Sequence, residues 1–123
     1  MVDVTDATFE RDILQRSEQV PVVVDLWAEW CGPCRTLGPI LEKVIAETDG
    51  KVELAKVNTD ENPQLTQAFQ VQGIPGVHAV RNRTPVASFV GAQPEAEVRR
   101  FVQALLPSAE EEQVAALVAA GDE

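Results

Sequence analysis

Both cysteines of this chain lie in one short stretch, WAEWCGPCRTLGP, residues 27–39. The two residues between Cys31 and Cys34 leave a spacing that permits a disulfide at the start of a helix. Helix N-termini stabilise negative charge, so we expect a lowered pKa for Cys31 and a thiolate that attacks disulfides. Cys34, one turn deeper, is expected to be shielded and to attack the resulting mixed disulfide from within.

The residues between the cysteines favour this geometry, because Pro33 suits a first helical turn and Gly32 permits close approach. Two other uses of the pair stay open. A closed zinc site needs four ligands, and beside its two cysteines the chain has a single histidine, His78, so carboxylates or a second subunit would have to contribute. A structural disulfide here would close a very small loop and restrain little of the unfolded chain. We therefore predict a redox-active Cys31–Cys34 disulfide and no metal or other cofactor.

Asp25 is the one charged residue in the β-branched run of residues 20–27, shortly before the cysteines. If Asp25 is buried, its pKa should be raised, and it could accept the proton of Cys34 when that thiol attacks. Lys56, on the next predicted strand, could be its charge partner. The alternative is that strand alternation turns Asp25 into solvent, and the residues alone leave both interpretations open.

The elements that must position these residues alternate along the chain. Hydrophobic periodicity predicts strands at residues 2–4, 20–27, 52–58, 77–80 and 86–90, and helices at 6–17, 34–48, 62–69 and 94–106. The first half therefore has the pattern of parallel βαβ units, and the second half adds an antiparallel hairpin.

Several single residues refine this outline. Thr5-Asp6 is predicted to cap the first helix, and Pro39 should kink the second. Pro85 is tolerated only at a sheet edge or a strand start, which places the last strand outermost. The hairpin turn carries Asn82-Arg83, and arginine resists positive φ, so a different or strained turn is expected there. Arg83 and the nearby Arg81 are expected to be solvated.

Composition narrows the class of protein. The 123 residues suit one domain, and 45% of them are apolar, enough for a folded core. The formal net charge of -10 should repel nucleic acid and anionic membranes, so neither is predicted as a partner. No stretch approaches the roughly 20 apolar residues of a membrane span, and the start MVDVTDATFE lacks the features of a signal peptide. We expect a cytoplasmic protein, and in that reducing compartment a cysteine pair is more often catalytic or metal-bound than structural.

The end of the chain differs from the rest. Residues 107–123 carry five acids and no base, whereas residues 1–106 carry 15 acids and 10 bases. Ser108 begins a predicted acidic helix with a capping box, and its apolar stripe must pack on something, because so short a helix is marginal alone. We therefore divide the chain into a domain of residues 1–106 and a helical extension of residues 107–123.

Several motifs together resemble the thioredoxin family from Val2 to about Leu106. They are VVVDLWAEWCGPC, the proline in the following helix, KVNTDENP, and GIPG with VGA downstream. The resemblance implies an α/β thioredoxin fold, with a central five-stranded mixed sheet flanked by four helices, to which the acidic C-terminal helix is added. It also implies protein-disulfide reduction, with Cys31 attacking, Cys34 resolving, Asp25 as the buried proton-handling acid and Lys56 as its neighbour.

The same resemblance implies a substrate groove around the cysteines. Pro75 matches the family's cis-proline, which faces the cysteines and helps to present a substrate backbone. The residues predicted to contact substrate are Trp30, Gly32, Pro33, Ile74, Pro75, Gly91 and Ala92. Trp27 is expected to pack in the core. Gly76 stands where the family usually has threonine, which would loosen the groove, and His78 replaces an aliphatic residue and is expected to be hydrogen-bonded and partly buried.

A finer resemblance concerns bacterial fusion proteins, the chaperedoxins, in which a thioredoxin domain precedes a tetratricopeptide-type helical array. NRTPVASFVGAQPEAEV followed by LPSAEEE carries it, and it makes residues 107–123 the start of such an array. Two functions follow as hypotheses. The chain is an oxidoreductase of disulfides or oxidised cysteines in proteins, served by a thioredoxin reductase, or it is a holdase that protects the cysteines of unfolding clients and acts with a chaperonin.

Overall fold

A computed structural model of the protein describes residues 1–107. Its strands are β1 (Val2–Asp3), β2 (Val22–Trp27), β3 (Glu53–Asn58), β4 (Gly76–Arg81) and β5 (Thr84–Val90). The first helical segment joins a π-helical stretch, Glu10–Gln15, to a 3-10 turn, Arg16–Glu18, and the α-helices are α1 (Gly32–Ala46), α2 (Pro63–Ala68) and α3 (Glu95–Gln103). The predicted C-terminal helix lies outside the described residues.

The five strands form one mixed sheet in the order β1-β3-β2-β4-β5. Strands β1, β2 and β3 are parallel, and β4 runs antiparallel to both β2 and β5. The predicted five-stranded mixed sheet with four flanking helices is confirmed, and β5, which carries Pro85, lies at the sheet edge as expected. The central β2 leads directly into the cysteine stretch and α1.

Alternation along β2 divides the core into two layers. Val23 packs with Leu37 and Leu41 of α1 on one face of the sheet. Val22, Val24 and Leu26 pack on the other face, with the first helical segment and Leu65 of α2. Because side chains alternate along a strand, Asp25 shares the face of Val23 and is directed toward α1. The strand thus buries a carboxylate beneath the helix that carries the cysteines.

The predicted cap of the first helix was wrong, because Asp6 caps a different element. Its carboxylate oxygens accept hydrogen bonds from the backbone N–H groups of Leu65, at 2.9 Å, and Gln64, at 3.3 Å, in the first turn of α2. The Asp6 N–H donates to Oδ1 of Asn62 at 2.9 Å. Asp6 therefore ties the N-terminal segment to α2 across more than fifty residues of sequence, and the regular helix begins later than predicted.

The β4–β5 hairpin keeps a two-residue turn in spite of its arginine. Asn82 and Arg83 adopt φ values of 50° and 67°, the left-handed region that a type I′ turn requires. The turn is held by Ser17, which is 2% exposed: its Oγ accepts from the Arg83 N–H at 2.8 Å, and its carbonyl accepts from the Asn82 N–H at 2.9 Å.

The two arginines of the hairpin are not merely solvated, which corrects the sequence prediction. The Arg83 guanidinium pairs with Glu10 at 2.5 Å, and the Arg81 guanidinium donates to the carbonyl of Leu105. These contacts dock the hairpin onto the first helical segment and onto the chain just after α3. None of the helices in residues 1–107 has the length and apolar character needed to cross a membrane.

Candidate active site

The cysteine pair lies at the start of α1, shortly after the end of β2. Cys31 and Cys34 form a disulfide, with their Cα atoms 5.3 Å apart. Cys31 is the N-cap of α1, and its Sγ accepts a hydrogen bond from the Cys34 N–H at 3.2 Å. Pro33 occupies the first turn, where its missing N–H leaves no intrahelical bond unmade. The sulfur of Cys31 therefore sits at the positive end of the helix dipole.

Exposure does not distinguish the two sulfurs in the predicted way. Cys31 is 3% exposed and Cys34 is 7% exposed, so Cys34 is not the more shielded residue of the disulfide form. The two differ in what they face. Cys34 lines an open cleft that Lys56 also lines. The pair packs as a small cluster with Ala28, against which Ile74 also lies.

The loop before β4 approaches the cysteines with a cis peptide bond between Ile74 and Pro75. The Pro75 carbonyl accepts a hydrogen bond from the Gly91 N–H at 2.8 Å, which ties this loop to the end of β5. Gly91 has φ 89°, a conformation that favours glycine. Ile74 and Pro75 therefore lie close to Gly91, which is distant from them in sequence, and Ile74 packs against the cysteines.

Two exposed apolar side chains border this region. Trp30 is 69% exposed, and its Nε1 donates to Oδ2 of Asp60 at 2.9 Å, which fixes the ring from the loop after β3. Val90 is 58% exposed and comes directly before Gly91. Of the other predicted groove residues, Gly32, Pro33 and Ala92 are exposed and Gly91 is half-buried.

Gly76 is buried behind the cis-proline. A Cβ atom added there would lie 3.1 Å from the carbonyl oxygen of Gly73, closer than most packed carbons approach a backbone atom. A larger side chain at this position therefore requires the loop to shift.

Asp25 is buried, so the solvated alternative is wrong. Asp25 is 1% exposed, and its Oδ1 atom has no hydrogen-bond partner within residues 1–107. Burial raises the pKa of Asp25 from 3.8 to about 6, with a smaller opposing effect from the positive charge of Lys56 and a further increase from Glu42. A carboxylate in this state is ionised near neutral pH and still basic enough to take a proton.

Lys56 lies beside Asp25 in the β2–β3 register but does not pair with it directly. Its Nζ is 5.3 Å from the centroid of the Trp27 ring, a cation–π geometry. Lys56 therefore acts on the Asp25 carboxylate by electrostatic attraction without a direct ion pair. Trp27 is partly buried, and its Nε1 is a second buried polar atom that has no partner in the described part of the chain.

A cleft of about 490 Å³ lies between α1, β3 and the loop after β2. Its lining residues are Trp27, Ala28, Glu29, Cys34, Arg35, Gly38, Pro39, Glu42 and Lys56. The cleft reaches from Cys34 to Lys56, the neighbour of Asp25 on β3, and Asp25 itself is not among its lining residues. The cleft was not predicted from the sequence, although Cys34, Gly38 and Glu42 follow at helical spacing and so share one face of α1.

His78 is half-buried on β4, and its ring lies 5.0 Å from that of Phe69, on the sheet face away from α1. Burial lowers the pKa of this histidine. Among residues 1–107, no three His, Cys, Asp or Glu side chains are grouped so as to hold a metal ion.

Known proteins are similar to this chain over most of its length. The sequence profile described as Thioredoxin matches residues 1–104. A thioredoxin of Streptomyces clavuligerus is 46% identical over 98 residues, which cover 80% of this chain and 89% of that protein. A thioredoxin of Rhodospirillum rubrum is 41% identical over 104 residues, covering 85% and 98%. The bifunctional thioredoxin reductase/thioredoxin of Mycobacterium leprae is 38% identical over 107 residues, covering 87% of this chain and 23% of that protein.

Proposed function

This chain belongs to the thioredoxin family of thiol–disulfide oxidoreductases, and we propose that it reduces protein disulfides through its CGPC dithiol. One observation carries the proposal: Cys31 is the N-cap of α1, where its sulfur accepts the Cys34 N–H at 3.2 Å. A hydrogen bond to sulfur and the helix dipole both favour a thiolate, so Cys31 is the attacking residue.

The cycle starts with the reduced dithiol. The Cys31 thiolate attacks one sulfur of a substrate disulfide, which forms a mixed disulfide and releases the other substrate sulfur as a thiolate that takes a proton from solvent. Cys34 then loses its proton and attacks Cys31. The Cys31–Cys34 bond forms, the second substrate thiolate leaves, and two electrons have passed from the protein to the substrate.

Asp25 is proposed as the base that takes the proton of Cys34. Its burial beneath α1, on the sheet face that the cleft adjoins, supports this role, and so does a pKa raised to about 6. Lys56 is proposed to keep Asp25 partly ionised through its positive charge. Without that charge, burial alone would hold the carboxyl protonated to a higher pH.

A substrate segment is proposed to bind across the surface formed by the residues around the disulfide. The exposed ring of Trp30, which Asp60 holds, directly precedes Cys31 in sequence, and Ile74 of the cis-Pro75 loop packs against the cysteines. The remaining proposed contacts are Gly32, Pro33, Ile74, Gly91 and Ala92, to which the exposed Val90 is added. Apolar side chains near a target disulfide would be buried here, which favours partly unfolded or loop-borne disulfides.

The reductant is proposed to be a thioredoxin reductase, acting in a reducing cytoplasm. Support comes from the similarity to the Mycobacterium leprae protein, whose name joins such a reductase to a thioredoxin in one chain. Residues 1–106 are proposed as the unit that performs the reaction.

An insulin-reduction assay with dithiothreitol as electron donor tests the proposal. The wild-type chain should accelerate precipitation of the insulin B chain, and Cys31→Ser should abolish the acceleration. Cys34→Ser should instead accumulate mixed disulfides that are visible by mass spectrometry. Equal rates for wild type and Cys31→Ser would refute the proposed activity.

A second candidate function is a holdase that binds unfolding clients and protects their cysteines. The exposure of Trp30 and Val90, at 69% and 58%, supports it, because such a function needs accessible apolar surface. The co-chaperone subtype and the chaperonin partner stay predictions of the sequence. The test is suppression of client aggregation by a Cys31→Ser/Cys34→Ser double variant, and failure to suppress aggregation would exclude this candidate.

A further inference from the structure

A groove of about 420 Å³ lies at the end of the sheet opposite the cysteines. It is bordered by Val20 and Pro21 just before β2, by Lys51 just before β3 and by Arg81 at the end of β4. Because β3 is parallel to β2 and β4 is antiparallel to it, these positions share one end of the sheet. The length of the six-residue β2, about 20 Å, separates this end from the end that leads to the cysteines. The groove is therefore separate from the surface proposed to bind substrate.

The charged side chains of the groove are mainly basic, although the formal net charge of the protein is -10. The lining contains two bases, Lys51 and Arg81, and one acid, Glu18. The Glu18 carboxylate lies 3.9 Å from the Arg83 guanidinium, which offsets its negative charge from outside the groove. Arg81 donates to the carbonyl of Leu105, a neutral acceptor that leaves the charge of the guanidinium in place. The groove therefore suits an acidic occupant.

The chain itself supplies an acidic segment at the rim of the groove. Pro107 is the last residue that the structure describes, and it belongs to the lining of the groove. The C-terminal segment that follows, residues 108–123, carries five acids, no base and the apolar stripe of Val114, Leu117 and Val118. A helix of this length is marginal alone in water, so its stripe needs an apolar surface to cover.

We propose that the C-terminal segment docks in this groove within the same chain. Its first acids, at positions 110–112, follow Pro107 by three to five residues, a reach of at most about 18 Å for an extended chain. They can therefore meet the positive charges of Lys51 and Arg81 at the groove.

The apolar stripe of the segment has a matching surface in the same groove. Val20 and Pro21 are both half-buried there, between the first helical segment and β2. Covering them with the stripe buries apolar surface on both sides of the contact, which is favourable in water. Charge and apolar burial thus favour the same occupant.

The covalent link favours docking within one chain over docking of a second copy. A short link between two contacting elements sets an effective concentration in the millimolar range. A segment on another chain would have to reach a similar concentration to compete for the groove. A contact too weak to hold a separate chain can therefore still hold the linked segment.

Paramagnetic broadening of amide signals in the full chain tests this docking. A nitroxide is attached to Ala116→Cys in a Cys31→Ser/Cys34→Ser background, which removes the two native thiols. In a helix, position 116 falls on the side opposite the apolar stripe, so the label should not block the contact. The amide spectrum of the reduced, diamagnetic label is the reference and also checks that the protein is folded.

The expected broadening is confined to one end of the molecule. The amides of Val20, Lys51 and Asn82, which line the groove, should lose most of their intensity. The amides of Gly32 and Gly91, near the cysteines, should keep theirs.

Two substitutions separate docking from mere proximity through the link. Lys51→Glu reverses a charge of the groove, and Leu117→Gln removes apolar surface from the segment while keeping a good helix former. Each should restore most of the intensity lost at Val20 and Asn82. Lys43→Glu, the same charge reversal at an exposed position of α1, is the matched control and should leave the broadening unchanged.

A mixed sample distinguishes docking within a chain from docking between chains. It combines isotope-labelled chains that lack the nitroxide with spin-labelled chains that lack the isotope. Broadening at the groove in this mixture would assign the segment to a second copy and overturn docking within one chain.

The inference is also overturned if the groove amides of the spin-labelled chain keep their intensity. The same conclusion holds if either Lys51→Glu or Leu117→Gln leaves the broadening unchanged, or if Lys43→Glu relieves it equally. None of these measurements depends on disulfide reduction, so the docking and the proposed function can fail separately.

Discussion

At the scale of single residues, Asp25 couples the chemistry of the site to the stability of the fold. An ionised carboxylate that is 1% exposed and lacks a direct ion pair is costly to bury. The pKa rises from 3.8 in the unfolded chain to about 6 in the folded one. Between these values the unfolded chain has released the proton that the folded chain still holds, so stability falls as the pH rises through this window.

We therefore predict that Asp25→Asn stabilises the protein at pH 7.5. A shift of this size corresponds to up to roughly 3 kcal/mol in the free energy of unfolding, because the amide never ionises. Below about pH 3.8 the two proteins should be equally stable, since both carry a neutral side chain there. Urea unfolding at a series of pH values measures the difference.

The same variant should slow the attack of Cys34 on a mixed disulfide at neutral pH, because the proposed base is gone. Glu61→Gln, a substitution at an exposed surface carboxylate, is the matched control and should change the free energy of unfolding at pH 7.5 by less than about 0.5 kcal/mol. A constant stability difference between Asp25→Asn and wild type from pH 3 to pH 8 would contradict the buried, raised-pKa carboxyl.

At the scale of elements, the hairpin of β4 and β5 depends on a residue outside it. Asn82 and Arg83 both hold positive φ, which costs a non-glycine residue about 1 kcal/mol or more. Ser17 offsets this cost by accepting hydrogen bonds from both residues of the turn, at 2.9 and 2.8 Å. Ser17 thus fixes the position of the edge hairpin relative to the first helical segment.

We predict that Ser17→Ala destabilises the protein by about 1–3 kcal/mol, because the Ser17 hydroxyl makes two hydrogen bonds, one from the Arg83 N–H and one to the Leu14 carbonyl, each worth about 0.5–1.5 kcal/mol. The Arg83 N–H loses the Ser17 Oγ, while the backbone bond from Asn82 remains. Amide hydrogen exchange should show a larger loss of protection at Arg83 than in β2.

Ser88→Ala is the matched control for the lost hydroxyl. Ser88 is exposed on β5, and its replacement should change stability by less than about 0.5 kcal/mol. Equal stability of Ser17→Ala and Ser88→Ala would show that the turn does not need its support.

At the scale of the whole molecule, two buried layers enclose the sheet. Buried apolar side chains from Val4 to Leu105 fill both faces, and β2 contributes to each. Ion pairs between α1 and α3 join Lys43 with Glu95 and Glu47 with Arg99 on the outside of one layer. Exposed ion pairs of this kind add little to the free energy of unfolding. Burial of apolar side chains in the two layers therefore provides most of the stability.

We predict that a chain ending at Pro107 folds cooperatively by itself. Its free energy of unfolding should lie within about 1 kcal/mol of that of the full chain, because the buried apolar side chains from Val4 to Leu105 are all retained. Its rate of insulin reduction should be unchanged, because the proposed site lies within residues 1–106.

Chemical unfolding followed by tryptophan fluorescence measures the difference, since Trp27 and Trp30 both lie at the site. The full chain at the same protein concentration is the control. Loss of a cooperative transition in the shortened chain would contradict the division at residue 106.

Local patterns in the sequence determined the order of elements and the position of the cysteines. The β-branched run ending at Trp27 and the proline-containing turn at Pro33 predict a strand that leads into a helix, and the structure has both. The edge placement of Pro85 also followed from the sequence, because proline has no N–H to donate to a neighbouring strand and is therefore excluded from central strands. These features depend on neighbours in the chain, which a single sequence displays.

Only the tertiary structure decided what depends on residues distant in sequence. The sequence left open whether Asp25 is buried, assigned Asp6 to the wrong helix, and gave no sign that Ser17 holds the hairpin turn. The cleft between α1 and β3, which is lined by Cys34 and Lys56, also exists only after the sheet has formed. Burial, hydrogen-bond partners and electrostatic environment are properties of packed surfaces, and a periodic pattern indicates which face of an element is covered but not by which side chain.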